Sequence, residues 1–252
     1  KGVVKKTTLE AYSRPRTNGI NAITIKEGDQ LLEAKMTTGR SHIMMAVKSG
    51  KAIHFEEEKV RSMGRTASGV RGIRLANDKD EVVGMICIED VDSTVLVVSE
   101  NGYGKRSAVD DYRITNRGGK GVKTINVTEK TGNLISLKNV TDNDDLMVIN
   151  KSGVTIRIGV DTLRVMGRAT QGVKLIRLRD GDAIASVAKV SKWEEDDNIS
   201  EEELIENETI IKSPAVENTT IENNNDKDIS DSDDNDDDEE SNDSTNTTPE
   251  LF

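Results

Sequence analysis

The segment Ser68-Gly-Val-Arg-Gly-Ile-Arg-Leu75 decides the fold, because close copies of it recur at nearly equal intervals. The glycines of the four copies lie 50, 52 and 51 residues apart, so the chain contains four repeats of about fifty residues. The other three copies are Asn18-Gly-Ile-Asn-Ala-Ile-Thr-Ile25, Lys120-Gly-Val-Lys-Thr-Ile-Asn-Val127 and Gln171-Gly-Val-Lys-Leu-Ile-Arg-Leu178.

A second series of glycines precedes these segments by 17 to 19 residues. Each of them lies in a turn phrase such as Glu100-Asn-Gly102 or Lys151-Ser-Gly153. Asn-Gly and Ser-Gly between apolar runs indicate hairpins, because glycine readily adopts the positive φ that tight turns need. The turn glycines are Gly2, Gly50, Gly102 and Gly153.

β-Branched and apolar runs predict about four strands in each repeat. Four strands per fifty residues are typical of propeller blades, which bury both faces of each sheet by stacking around a ring. We therefore expect an all-β, propeller-like fold. Its strands are predicted at 43–47, 94–98 and 146–149, at 3–7, 52–55, 103–106 and 154–158, at the four glycine-anchored segments, and at 30–34, 81–86, 133–137 and 183–187.

Charge divides the 252 residues at Lys192. Residues 1–192 hold 33 Lys and Arg against 23 Asp and Glu, a net charge of +10, and we assign them to the blades. Residues 193–252 hold 23 Asp and Glu against 2 Lys, a net charge of −21. Their scattered apolar residues predict a disordered acidic tail. Because it is tethered, this tail is expected to compete with a polyanionic ligand and to regulate its binding.

The basic body favours a polyanionic partner. Aromatic residues make up only 2% of the chain, which argues against binding single strands by base stacking. No apolar run approaches the roughly 18–20 residues that cross a bilayer, so a membrane role is not expected. The single cysteine excludes an intrachain disulfide.

Cations recur at fixed places in the repeat. An arginine precedes the second glycine by four residues in three repeats, and the strand after the turn carries further cations. Cations at successive angles of a ring would form a curved positive stripe that suits bent duplex DNA. For any single lysine, a solvated strand edge explains the charge as well. The candidates are Arg65, Arg117, Arg168, Arg14, Arg16, Lys5, Lys6, Lys105, Arg106 and Arg157.

The loop Asn116-Arg-Gly-Gly-Lys-Gly121 is a candidate phosphate site. Its glycines Gly118, Gly119 and Gly121 would let backbone N–H groups approach a phosphate, while Arg117 and Lys120 supply charge. The loop lacks the Ser or Thr and the following helix of a nucleotide-binding P-loop.

These repeats resemble the C-terminal domain of the DNA gyrase A subunit. The segments that carry the resemblance are Gly69-Val-Arg-Gly-Ile-Arg-Leu75, Glu100-Asn-Gly-Tyr-Gly-Lys-Arg106 and Gly172-Val-Lys-Leu-Ile-Arg-Leu178. The resemblance implies a six-bladed β-pinwheel whose blades exchange a strand, of which this chain would hold about four. It further implies that duplex DNA wraps around the rim, so that the parent type IIA topoisomerase introduces negative supercoils using ATP.

The family's signature box reads Gln-Arg-Arg-Gly-Gly-Lys-Gly. Arg117-Gly-Gly-Lys-Gly121 matches its last five positions, whereas Thr115-Asn116 departs from the first two. Since the box usually lies in the first blade, we expect the principal copy, and further blades, upstream of Lys1.

The resemblance also implies what this chain lacks. Strand cleavage would need a tyrosine preceded by arginine in another domain, and neither Tyr12 nor Tyr112 follows an arginine, so no catalytic residue, metal ligand or cofactor is expected here. ATP and Mg²⁺ would act through a partner, the gyrase B subunit, in an A2B2 complex in the bacterial cytoplasm, at the nucleoid. Two alternatives stay open: the corresponding domain of topoisomerase IV, and a propeller scaffold that binds proteins.

Overall fold

The computed structural model describes residues 1–89, 92–192 and 250–251, the last two by their backbone alone. Within these ranges the chain forms β-strands and four single 3-10 turns, at Leu9–Tyr12, Glu57–Lys59, Val109–Asp111 and Val160–Thr162, and no α-helix. This confirms the predicted all-β class. The strands are β1 Val3–Val4, β2 Thr7–Thr8, β3 Met36–Thr37, β4 His42–Val47, β5 Lys51–Glu56, β6 Val70–Arg71, β7 Val82–Ile88, β8 Thr94–Ser99, β9 Tyr103–Ala108, β10 Val122–Lys123, β11 Leu134–Val140, β12 Asp144–Asn150, β13 Thr155–Gly159, β14 Val173–Lys174, β15 Ile184–Ser191 and β16 Glu250–Leu251.

Repeats 2 to 4 each form one sheet, or blade, whereas the strands of repeat 1 are divided between the sheets β1-β6 and β2-β16-β3. Blade 2 has the order β10-β5-β4-β7 and blade 3 the order β11-β8-β9-β14. Blade 4 consists of β13-β12-β15. Hairpins with tight turns at Gly50 and Gly102 join the two central strands of blades 2 and 3, and both glycines have positive φ, at 80° and 77°.

Each of repeats 2 to 4 lends one strand to the sheet of the preceding repeat. The two-residue strand that follows the second glycine pairs antiparallel with the strand after the previous turn. Thus β6 pairs with β1, β10 with β5, and β14 with β9. Successive blades are therefore joined by backbone hydrogen bonds, as the resemblance implied.

Blade 1 is assembled from distant parts of the chain. Glu250 in β16 pairs with Thr8 on one side and with Thr37 on the other. In blade 2, His42 pairs in the same manner with Glu56 and Ile88. Since Thr37 and Ile88 are separated by one repeat length, β16 takes the position in blade 1 that β4 takes in blade 2.

The hydrophobic core lies between successive sheets. Val95 and Val97 of β8 pack in one cluster with Met44 and Ile86 of blade 2. The alternate residues of β8 instead pack with blade 4, in a cluster that contains Leu96, Val98, Leu146 and Val148. Because the side chains of a strand alternate between its two faces, one apolar strand supplies both interfaces.

Two predicted features differ from the structure. The glycine-anchored segments were expected to be long strands, but only two residues of each in repeats 2 to 4 pair, because each crosses from its own repeat to the neighbouring sheet. Residues 30–34 form no strand, and Met36–Thr37 pair instead. The proposed acidic tail, residues 193–252, lies outside the described residues except for the backbone of Glu250–Leu251.

Replacing Gly121 by alanine should destabilise the fold by about 2–4 kcal/mol. Gly121 has a φ of +70°, and a Cβ atom there would lie 2.5 Å from the carbonyl oxygen of Ala52. Gly19 is the matched control, because its φ is +76° and no atom lies within 4 Å of the place that its Cβ would take. Gly19→Ala should cost only the conformational penalty, about 1 kcal/mol. Urea denaturation of both variants measures the difference, and equal losses would contradict the close approach.

Candidate nucleic-acid interface

The loops 63–69, 115–121 and 166–172, here called the arginine loops, carry Arg65, Arg117 and Arg168. Each loop crosses from one blade to the preceding one, and each accepts a hydrogen bond from the preceding repeat. The donors are the backbone N–H groups of Thr24, Arg74 and Asn126, and the acceptors are the carbonyl oxygens of Ala67, Gly119 and Thr170. These bonds place the three loops at equivalent positions.

Two of the three arginines brace neighbouring backbone. Arg117 donates from Nε to the carbonyl oxygen of Lys59 (2.8 Å) and from Nη1 to that of Arg71 (3.1 Å). Arg168 donates from Nη1 to the carbonyl oxygen of Lys123 (2.9 Å), which is the position in its repeat that Arg71 holds. A guanidinium carries five N–H donors, so both side chains retain donors for an anion.

The loop 115–121, predicted to bind phosphate through its backbone N–H groups, uses one of those groups within the protein. The N–H group of Gly118 donates to the carbonyl oxygen of Gly72 (2.5 Å), so that donor is already used. Lys120, by contrast, has an exposed side chain. The glycines of this loop therefore serve the contact between blades, while Lys120 presents charge to solvent.

Four of the candidate cations are buried, which differs from the expectation that they project outward. Lys5, Lys6, Lys105 and Arg106 are each at most 8% exposed. Lys6 pairs with the buried Glu57 (3.3 Å), and Arg106 contacts both Asp142 and the carbonyl oxygen of Leu163. Because adjacent residues of an extended segment point to opposite sides, these two pairs are buried on both sides of the segment, where hydrogen bonds offset the cost of burying charge.

The remaining candidates are more accessible. Arg14 and Arg16 are exposed on the loop before Gly19. Arg157 lies on β13, where its Nε pairs with Asp145 at 2.6 Å. This ion pair balances its charge locally.

The structure also shows two series of exposed cations that the sequence analysis missed. Arg61, Arg113 and Arg164 each lie eight residues before the second glycine of their repeat. The residue after each arginine forms a parallel bridge to the preceding blade, so the backbone at these positions is held. A second series follows the same glycines by two residues, on the lent strands: Arg71, Lys123 and Lys174. Their spacing was visible in the sequence, but their exposure was not.

Blade 2 carries a histidine where blades 1 and 3 carry Lys6 and Arg106. His54 is buried, and its Nδ1 atom donates to the carbonyl oxygen of Tyr112 (2.8 Å). Its Nε2 atom then accepts from Nδ1 of His42 (2.9 Å). Burial lowers the pKa of His54, which favours its neutral form. Among the described residues, no group of three His, Cys, Asp or Glu side chains could hold a metal ion.

Tyr112 is a core residue. It is 1% exposed, and its hydroxyl shares a hydrogen bond with Oγ1 of Thr124 (2.5 Å). Burial raises its pKa, which is unfavourable for a nucleophile. Tyr12 ends the 3-10 turn Leu9–Tyr12.

Strand-exchanged blades with cations at repeated exposed positions define a propeller-like domain with a basic surface. The chain belongs to the family described as the DNA gyrase C-terminal domain, beta-propeller, whose model matches residues 1–37, 41–89, 93–141 and 144–191. This confirms the resemblance inferred from the repeats.

Curated relatives are DNA gyrase A subunits. The protein from Chlamydia pneumoniae is 46% identical over 207 residues, which are 81% of this chain and 25% of the relative. That from Staphylococcus epidermidis is 46% identical over 198 residues, or 78% of this chain and 22% of the relative. The chain thus spans about a quarter of the length of the relatives it matches.

Solved structures share the fold. The C-terminal domain of DNA topoisomerase IV has a TM-score of 0.71 at 24% identity, over 76% of this chain and 59% of that domain. The DNA gyrase A C-terminal domain has a TM-score of 0.62 at 25% identity, over 68% of this chain and 58% of that domain. In the part of the chain that the structure describes, there is no helix with the length and apolarity to span a membrane.

Arg117→Ala should lower the free energy of unfolding by about 1–2 kcal/mol, because it removes two hydrogen bonds that join loop 115–121 to the backbone of repeat 2. Lys120→Ala is the matched control on the same loop, and we expect it to leave stability within about 0.5 kcal/mol of wild type. Thermal or urea denaturation distinguishes the two. Equal stability of both variants would show that the brace contributes nothing.

Proposed function

We propose that this domain binds duplex DNA and wraps it around the exposed basic positions of successive blades. In the parent protein, a type IIA topoisomerase of the DNA gyrase kind, this wrapping would present a nearby DNA segment for passage and lead to negative supercoiling.

The observation that carries the proposal is the repeated exposure of Arg61, Arg113 and Arg164. Each is anchored by a backbone hydrogen bond from the residue two positions later, such as that from Thr115 N–H to the carbonyl oxygen of His54 (2.8 Å). Equivalent cations on successive blades face the same side of each blade. Such an array suits repeated contacts with the phosphates of a bent duplex, and contacts of this kind position a backbone without reading its sequence.

In our proposal the exposed candidates from the sequence add to this surface. Arg14, Arg16 and Lys120 present charge directly, and Arg65, Arg117 and Arg168 lie half-buried on the arginine loops. In our proposal the buried Lys5, Lys6, Lys105 and Arg106 act indirectly, by supporting the backbone that carries the exposed cations. Arg157 contributes on blade 4.

The chemistry of the parent enzyme would reside elsewhere. ATP and Mg²⁺ would be used through the gyrase B subunit, in an A2B2 complex with the other domains of the gyrase A polypeptide. This chain would contribute DNA binding alone, with the acidic segment 193–252 as a competing polyanion that weakens the wrap.

The corresponding domain of topoisomerase IV is the second candidate, because its solved structure shares the fold, with a TM-score of 0.71. Gyrase is favoured by the 46% identity to gyrase A subunits, since likeness at 24% identity reports the fold alone. A protein-binding scaffold is disfavoured by the repeated surface cations.

A plasmid-topology assay tests the proposal. Nicked circular DNA is sealed by ligase with increasing amounts of the 252-residue chain at low and moderate salt. We expect a change in linking number, because wrapping with a defined hand alters the twist and writhe that ligation traps. Binding without that change would indicate contact without wrapping and favour the topoisomerase IV alternative. Absence of binding at low salt would overturn the proposal and favour a protein scaffold.

The exposed series can be tested separately. Replacing Arg61, Arg113 and Arg164 together by alanine should reduce the slope of log K against log salt concentration by roughly 2–3, because each phosphate contact contributes about 0.9. The matched control replaces Lys26, Lys79 and Lys151, three exposed lysines outside both exposed series, by alanine. Fluorescence anisotropy with a labelled duplex measures both slopes. Equal losses would mean that net charge, and not the repeated position, determines binding.

A further inference from the structure

Two buried lysines lie beneath two of the arginine loops. Lys5 in blade 1 and Lys105 in blade 3 each follow the turn glycine of their repeat by three residues. The loops above them have closely similar sequences, Met63-Gly-Arg-Thr-Ala-Ser-Gly69 and Met166-Gly-Arg-Ala-Thr-Gln-Gly172.

Each lysine donates a hydrogen bond to the loop backbone at or directly before the arginine. Lys105 is 1% exposed, and its Nζ atom donates to the carbonyl oxygen of Gly167 at 2.6 Å, directly before Arg168. Lys5 donates from Nζ to the carbonyl oxygen of Arg65 at 2.5 Å and also to that of Ala22. A buried ammonium group is costly, and these carbonyl acceptors offset the cost in both blades.

Blade 2 has a different arrangement. The equivalent position is Ile53, whose Cδ1 atom lies 3.4 Å from the place that a Cβ atom on Gly119 would take. The loop above it is instead secured by the two hydrogen bonds of Arg117, and its lysine, Lys120, lies in the loop itself. A buried lysine therefore holds loops 63–69 and 166–172 from beneath, in addition to the bond from Arg168 to Lys123, whereas loop 115–121 has Ile53 at that position.

The buried ammonium groups also act electrostatically on the arginines. The guanidinium of Arg65 lies close enough to Lys5 to lower its pKa, in addition to the effect of burial. Burial, together with Arg168, lowers the pKa of Lys105 to about 8, against the opposing influence of Asp111. A phosphate bound to either arginine from outside would offset this repulsion between like charges.

We propose that Lys5 and Lys105 are positioning residues for DNA binding: from inside their blades they fix the loop backbone and direct Arg65 and Arg168 toward phosphates. This inference rests on the proposed function. It assigns to two buried cations a role that requires no contact with DNA.

The first test is Lys105→Met in the 252-residue chain, which removes the ammonium group and keeps the apolar stem. We expect duplex affinity at pH 7 to fall roughly fivefold, the effect of losing one well-placed phosphate contact. Ile53→Met is the matched control at the equivalent position of blade 2, and Lys79→Met controls for the loss of one exposed charge. Both should bind within about twofold of wild type. Unchanged affinity of Lys105→Met would overturn the proposal.

A double-mutant cycle separates positioning from a general loss of stability. If Lys105 acts through Arg168, the variant with both Lys105→Met and Arg168→Ala should bind as weakly as Arg168→Ala alone. Additive losses of affinity would contradict the proposal. Lys105→Arg retains the charge and the hydrogen-bond donors, so a loss of affinity in this variant as large as that of Lys105→Met would contradict it as well. If the wild-type chain binds no duplex at all, the proposed function itself fails, and this inference fails with it.

The pH profile supplies an independent signature. Above pH 8 the folded chain loses the Lys105 proton before the unfolded chain does, so stability should rise with pH from about 8 toward the usual lysine pKa of 10.5. DNA binding favours the protonated ammonium, so affinity should fall over the same range. If Lys105 positions the loop, stability should rise and DNA affinity should fall over this pH range in the wild-type chain. Both pH-dependent changes should be smaller in Lys105→Met. Parallel trends would indicate a purely structural lysine.

Discussion

The loan of one short strand from each repeat to the preceding sheet is the constraint on which the rest of the structure depends. A blade with three strands of its own leaves one edge unpaired, and the lent strand completes it. This requires a sharp approach to the neighbouring backbone, which the glycines at 69, 121 and 172 permit: a Cβ atom there would lie 2.5–2.6 Å from a carbonyl oxygen. Covalent continuity and hydrogen bonding thus both link successive blades, so the position of one sheet determines that of the next.

The strand exchange also determines where charge appears. The chain must cross from one blade to another just before each of these glycines, and the crossing segments become the arginine loops and the exposed arginines before them. Arg61, Arg113 and Arg164 on the crossing segments and the cations on the lent strands face solvent, whereas Lys105 and Arg106 on hairpin strand β9 are buried between sheets. The basic surface is therefore a consequence of how the blades are joined, and its regularity follows from the regularity of the repeat.

Buried charged residues in this fold form ion pairs and hydrogen bonds that hold the backbone near the exposed cations. Lys6 and Glu57 form a buried pair between blades 1 and 2, while Lys105 holds a loop carbonyl from below. A buried cation without partners would destabilise the fold by several kcal/mol, so each occurs with an acceptor nearby. Blade 2 meets the same requirement with His54, which is neutral and bridges His42 and the backbone of Tyr112. Different residues at one repeat position thus each place a buried polar side chain beside a hydrogen-bond partner.

Much of the fold could be predicted from the sequence, because repetition and alternation are local properties. The four repeats, the hairpins at Gly50 and Gly102 and the apolar strands such as Thr94–Ser99 were all visible in the order of residues. Candidate cations could also be found, because they recur at a fixed distance from a glycine. The lengths of the lent strands and the replacement of the strand predicted at 30–34 by Met36–Thr37 could not, since both depend on which distant backbone is available for pairing.

The sequence by itself determined the repeat period, the strand-rich class, the two-part charge distribution and the family resemblance. Only the tertiary structure decided which cations reach solvent. Lys105 and Arg113 are both basic residues at recurring positions, yet one is buried beneath a loop and the other is exposed on a crossing segment. The physical reason is that exposure depends on the second sheet packed against a strand, and in a strand-exchanged fold the neighbouring repeat supplies that surface.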